Sequence, residues 1–118
     1  MTTDTLPDTP PKIPPSTSFV VVLTTAGSER EAKTIAEALI AAELAACVSL
    51  FPMQSVYRWQ GNVQHEAEWQ LVIKTRLAQF EALSKKVKEL HSYETPELIV
   101  LPIVTGSAAY LSWMGEQV

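Results

Sequence analysis

Three side chains in this sequence carry thiol or imidazole donors: Cys47, His65 and His91. Thiolate and imidazole are the ligands that copper and zinc select, so these three are the candidates for metal chemistry. Their spacing is not that of a local metal centre. There is no Cys-x-x-Cys, no His-x-x-x-His and no Cys-His pair at ligand distance. Cys47 sits in the apolar run Ala46-Cys47-Val48-Ser49-Leu50-Phe51, where a lone cysteine behaves as a small hydrophobe. His65 falls on an alternating strand, where an imidazole packs at an interface as readily as it binds an ion.

Catalytic chemistry has less to stand on. The four glycines are scattered, so no phosphate-cradling loop is present. The only aspartates, Asp4 and Asp8, lie in a proline-rich start, which removes a Ser-His-Asp relay. Glu66 and Glu68 share one strand face and read as solvated carboxylates on an exposed hairpin. These features predict a protein that is not an enzyme and takes no organic cofactor.

The positioning elements follow from pattern. Residues 1–17 hold Pro7, Pro10, Pro11, Pro14 and Pro15 among Thr, Asp and Ser, and predict a disordered tail. A single domain then runs over 18–118. Phe19-Val20-Val21-Val22-Leu23 reads as a strand covered on its faces. Ser28 with Glu31 three residues on forms a capping box, and Ala32, Ile35, Ala36, Leu39 and Ile40 recur at helical spacing. Ala46–Phe51 reads as a second strand stopped by Pro52, and Ser55–Trp59 as a separate extended piece before the turn at Gln60-Gly61-Asn62. On the return strand Val63, His65, Ala67, Trp69, Leu71 and Ile73 take one face. Gln64, Glu66, Glu68, Gln70, Val72 and Lys74 take the other.

A second helix spans about 77–90, with Leu77, Phe80, Leu83, Val87 and Leu90 as its stripe. A strand over 97–101 and a short helix opened by Gly106 and Ser107 close the chain. This order predicts an α+β, ferredoxin-like split β-α-β sandwich with an extended central hairpin and a C-terminal helix. Two helices cover one sheet face only. A return strand from Val63 to Thr75 spans roughly 40 Å, longer than such a domain needs. The overshoot would expose Tyr57, Trp59 and Trp69, a hazard unless another subunit pairs with it. The pattern therefore predicts self-association, without fixing the number of subunits; the alternative is a monomer with a bent hairpin, in which Trp59 and Trp69 are ordinary core residues.

Composition narrows the partners. The chain has 118 residues, 47% hydrophobic and 19% charged, with a net charge of −4. It lacks the basic face that nucleic acid or an anionic membrane surface would require. No apolar run is long enough to span a bilayer. A single cysteine excludes an internal disulfide framework, and the N-terminus lacks a secretory pattern, so the expected location is cytoplasmic.

Several stretches taken together resemble the CutA family. They are Leu44-Ala45-Ala46-Cys47-Val48, Ser55-Val56-Tyr57-Arg58-Trp59-Gln60-Gly61, Glu68 and Ile73-Lys74-Thr75. His91-Ser92-Tyr93-Glu94-Thr95-Pro96-Glu97-Leu98-Ile99, Leu101-Pro102-Ile103 and Tyr110-Leu111-Ser112-Trp113 complete the set. The resemblance implies a homotrimer built like the PII signalling proteins and associated with tolerance to divalent cations, copper above all. Trp59, His65, Trp69 and Trp113 are then expected at the trimer interface. His91 becomes the leading metal candidate, with Cys47 second, for weakly bound Cu(2+) or another divalent cation. Some bacterial members carry a cysteine at the end of the first strand and two adjacent histidines in the connector. Here Thr24 and Leu90 stand in those places. The motif segments also gather Tyr57, Trp59, Lys74, Tyr93, Glu94 and Glu97, aromatic walls with a few charges, as in small-ligand clefts. The alternative to metal handling is a PII-like trimer that senses a small anionic ligand there and signals to a protein partner. Alternatively again, Lys74 and Glu97 form a structural ion pair and the aromatics fill the interface.

Overall fold

The computed structural model describes residues 18–118, so the expected tail over 1–17 lies outside the described residues. The elements run β1 (Phe19–Ala26), α1 (Glu29–Ala41), β2 (Cys47–Trp59), β3 (Asn62–Arg76), α2 (Phe80–Leu90), β4 (Ile99–Pro102) and α3 (Ala108–Gln117). One 3-10 turn, Leu77–Gln79, leads into α2. The sheet order is β2-β3-β1-β4, with every neighbouring pair antiparallel. That is the split β-α-β arrangement predicted: each helix carries the chain across an intervening strand.

Cross-strand register separates the two faces. Val20 opposite Thr75, Val22 opposite Ile73 and Thr24 opposite Leu71 all point to the helix side. There they meet Ile35 and Leu39 of α1 and Leu83 and Val87 of α2 to form the buried core. Thr75 is tolerated inside because its hydroxyl donates to the Leu44 carbonyl at 2.7 Å. The other face carries Val21 opposite Lys74, Leu23 opposite Val72 and Cys47 opposite Lys74. Among the described residues α3 is the helix that lies against it, at one end.

Helix α1 is closed at both ends by local chemistry. The Glu31 N–H donates to Ser28 Oγ at 3.1 Å, so half of the expected capping box forms, while the Glu31 carboxylate takes the Gly27 N–H at 3.2 Å instead of that of Ser28. At the far end Leu44 N–H bonds the Leu39 carbonyl at 2.9 Å and Glu43 N–H bonds that of Ile40 at 3.0 Å. This is a Schellman closure, with Glu43 at φ 58° in the left-handed position that glycine usually fills.

Two expectations need correction. Pro52 does not divide the second strand: β2 runs unbroken for 13 residues, with Pro52 opposite Trp69. The strand lies at the sheet edge, where a missing N–H need not interrupt a ladder. Residue Asn62 belongs to β3 and pairs with Trp59, so the turn is Gln60-Gly61 alone, with φ of 50° and 80°. Positive φ at both central positions is the twisted two-residue turn that suits a hairpin.

β1 reaches along β3 only from Arg76 to Trp69. From Asn62 to Glu68, β3 pairs with β2 alone among the described strands. A two-stranded ribbon of about 20 Å therefore projects beyond the sheet.

Candidate functional site

The ribbon begins where β1 ends, and the connector after α2 crosses at that point. His91 caps α2 in an extended conformation. Its Nδ1 accepts the Tyr93 N–H at 3.0 Å, which assigns the ring proton to Nε2, and Nε2–H donates to the Thr25 carbonyl. The imidazole also lies against the Tyr93 ring, with centroids 4.8 Å apart. Ser92 N–H donates to Glu31 Oε2 at 2.8 Å, while Glu31 Oε1 accepts the Gly27 N–H at 3.2 Å. One carboxylate thus ties the start of α1 to the connector. Burial alone would raise the Glu31 carboxyl. The bonds from Ser92 and Gly27, with His91 nearby, outweigh it and hold the group below its ordinary value. Gly27 lets the connector pass close by, since a Cβ there would lie 3.1 Å from the Tyr93 hydroxyl oxygen.

Tyr93 leads to the ribbon. Its hydroxyl donates to Glu68 Oε1 at 3.4 Å. Burial and the negative charges of Glu68 and Glu66 push the phenol up to about 12. Glu66 beside the Tyr57 hydroxyl raises that phenol as well. The expectation that both carboxylates are solvated is therefore wrong for Glu68, which is only 8% exposed. No Lys or Arg forms an ion pair with either one among the described residues. Strand alternation placed Glu66 and Glu68 together, but the cover comes from a tyrosine 25 residues further along. No local pattern announces that contact.

Further along the same face, Lys74 Nζ donates to the Tyr110 hydroxyl at 3.0 Å and lies 5.1 Å from that ring's centroid. That bond raises the Lys74 ammonium above its usual range. Tyr110 rests against Trp113 at 5.5 Å. Arg76 fixes the end of α3 by donating from Nε to the Val118 carbonyl at 2.9 Å and from Nη2 to that of Gly115 at 3.2 Å.

The residues singled out from sequence therefore fall into separate groups. His91 and Cys47 do not converge: Thr25, which holds His91, pairs with Gln70, whereas Cys47 pairs with Lys74. Among the described residues no three His, Cys, Asp or Glu side chains gather as a metal cluster. Thr24 is fully buried on the helix side of the sheet. Tyr57, Tyr93 and the two glutamates form one cluster, while Lys74 joins Tyr110 instead of Glu97. Glu94 is exposed and Glu97 half-buried. Of the expected interface residues, Trp59 is 60% exposed near the ribbon tip and Trp113 is 40% exposed on α3. His65 is exposed on the ribbon, and Trp69 packs against the protomer's own core. The surface depressions along α2 and between α1 and β2 contain none of these groups.

Comparison with known proteins places this arrangement. The family model for the CutA1 divalent ion tolerance protein matches residues 20–117. The divalent-cation tolerance protein CutA of Thermus thermophilus is 47% identical over 97 residues, covering 81% of this chain and 94% of that protein. The protein of the same description from Escherichia coli is 43% identical over 100 residues, covering 84% and 89% respectively. The solved structure of CutA1 from Oryza sativa aligns with a TM-score of 0.83 at 41% identity, covering 86% of this chain and 95% of that one. That of CutA from Synechococcus elongatus gives 0.82 at 40%, covering 86% and 90%. On these matches and on the shared fold, the chain belongs to the CutA family of divalent-cation tolerance proteins.

Proposed function

We propose that the protein is a cytoplasmic homotrimer without catalytic activity that contributes to divalent-cation tolerance by binding copper or a similar ion weakly. The observation that carries the trimer is the uncovered sheet face with its projecting ribbon. Phe51, Tyr57, Trp59, Ile99 and Leu101 are each at least 40% exposed there. Exposed apolar surface of this extent, continuous with strand edges, is what assembly removes from water.

Weak rather than tight metal binding follows from the donors. Both nitrogens of His91 are engaged, so an ion must displace the Tyr93 N–H from Nδ1, at a cost of about 1 kcal/mol. Cys47 is too far off within one protomer to share that ion, and a second soft ligand must come from elsewhere in the trimer. Calorimetric titration of metal-stripped protein with Cu(II) and Zn(II) tests the reading. The expected result is saturable binding that His91→Ala abolishes. An isotherm unchanged by both His91→Ala and Cys47→Ala contradicts it.

Lys74 favours a second reading. Its ammonium stands on the uncovered face beside Tyr110 and Trp113, a cation with aromatic walls that suits a small anion in a subunit cleft. Tyr57, Trp59, Tyr93, Glu94 and Glu97 would complete that cleft from other subunits, and a protein partner would receive the signal. Ligand binding that needs no metal and is lost in Lys74→Ala identifies this case.

A further inference from the structure

Glu68 is 8% exposed, and its hydrogen-bond partner is one tyrosine hydroxyl at 3.4 Å. Most of the Glu68 side chain is withdrawn from water, and a tyrosine hydroxyl brings its carboxylate no counter-charge. Glu66 lies two residues along on the same face, about 6.6 Å away. The ion pairs among the described residues are Lys33–Glu29 and Lys86–Glu89, both on helices far along the chain from the ribbon. Among the described residues no cation pairs with either carboxylate.

The opposite face of the ribbon carries the complement. Arg58 stands opposite Val63 near the tip, exposed and in no ion pair among the described residues. Around it Val56 is 64% and Val63 58% exposed, with His65 opposite Val56. A closed ring of identical copies joins two different patches of the chain head to tail. One face of this ribbon is apolar with a guanidinium; the other is aromatic with two carboxylates.

We propose that Arg58 of a neighbouring copy seats its guanidinium against Glu66 and Glu68, between the hydroxyls of Tyr57 and Tyr93. The pairing rests on the homotrimer reading and names the residue that completes the acidic cluster. The planar fork presents donors along two edges and bridges two carboxylates, which an ammonium does less well. It also offsets part of the repulsion among three copies that each carry a net charge of −4.

The test is dissociation of the assembly, followed by light scattering in urea for wild type, Arg58→Glu, Glu66→Arg and the double exchange. Arg58 is exposed in the protomer, so its replacement leaves the fold intact. Arg58→Glu is expected to weaken assembly at least about tenfold, and the double exchange to recover most of the loss. Arg58→Gln, a milder change, should flatten the dependence of dissociation on NaCl between about 0.02 and 0.5 M. A trimer unaffected by Arg58→Glu, or single effects that simply add in the double variant, overturns the pairing and leaves the trimer standing. A wild-type chain that is monomeric at every concentration overturns the trimer reading and the pairing with it.

Discussion

At the scale of single residues, two buried polar groups show how differently the same fold treats them. The Thr75 hydroxyl is satisfied by the Leu44 carbonyl, whereas Oγ1 of Thr24 is buried without a hydrogen-bond partner. An unmade bond in an apolar core costs about 1–3 kcal/mol. Thr24→Val should therefore raise stability by about 1 kcal/mol, read as a higher urea midpoint. A lower midpoint would mean that the hydroxyl is satisfied after all. Glu31 gives a pH signature. Its folded-state value is depressed, so its contribution is present above the unfolded carboxyl's titration and is lost as pH falls through the folded value. Stability should drop below about pH 4.5, and Glu31→Gln should flatten that acid limb in denaturation curves measured across it. Much of this pair of contrasts was hidden in the sequence. The Ser28 cap on the Glu31 N–H was legible because both residues lie within one helical turn. The second role of Glu31, holding Ser92, was not, because it spans 61 residues.

At the scale of elements, local rules and their exceptions decide the geometry. Glu43 occupies a left-handed position, which disfavours a side chain by about 1–2 kcal/mol. Glu43→Gly should stabilise the protein by about 1 kcal/mol in thermal unfolding, and a loss would show that its side chain compensates. The two helices, the Gln60-Gly61 turn and the alternation of β3 were legible because helix caps, turn residues and period-two burial are short-range signals. The continuity of β2 was not. A proline reads as a stop unless the strand is known to lie at an edge, and that depends on the order β2-β3-β1-β4, a property of the whole sheet. The burial of Glu68 failed to show for the same reason. Its cover, Tyr93, arrives with a connector that follows α2 and crosses the end of β1 at Gly27.

At the scale of the whole molecule, the protomer is a ferredoxin-like sandwich left open on one side. The overshooting hairpin was legible from strand length alone, and the register bears it out: β3 continues past the end of β1 with only β2 beside it. The candidate site was less legible: of the residues expected in one cleft, Tyr57 and Tyr93 stand in one protomer with Glu66 and Glu68, whereas Lys74 stands with Tyr110 and Trp113. Assembly is what would bring such groups together, so the account turns on it. The most direct measurement is the mass of the full chain in solution by multi-angle light scattering at micromolar concentration. The account predicts a single species of three times the protomer mass, held across a wide dilution series. A species with the mass of one chain would contradict it, leaving the exposed ribbon and the uncovered face without the partner that explains them.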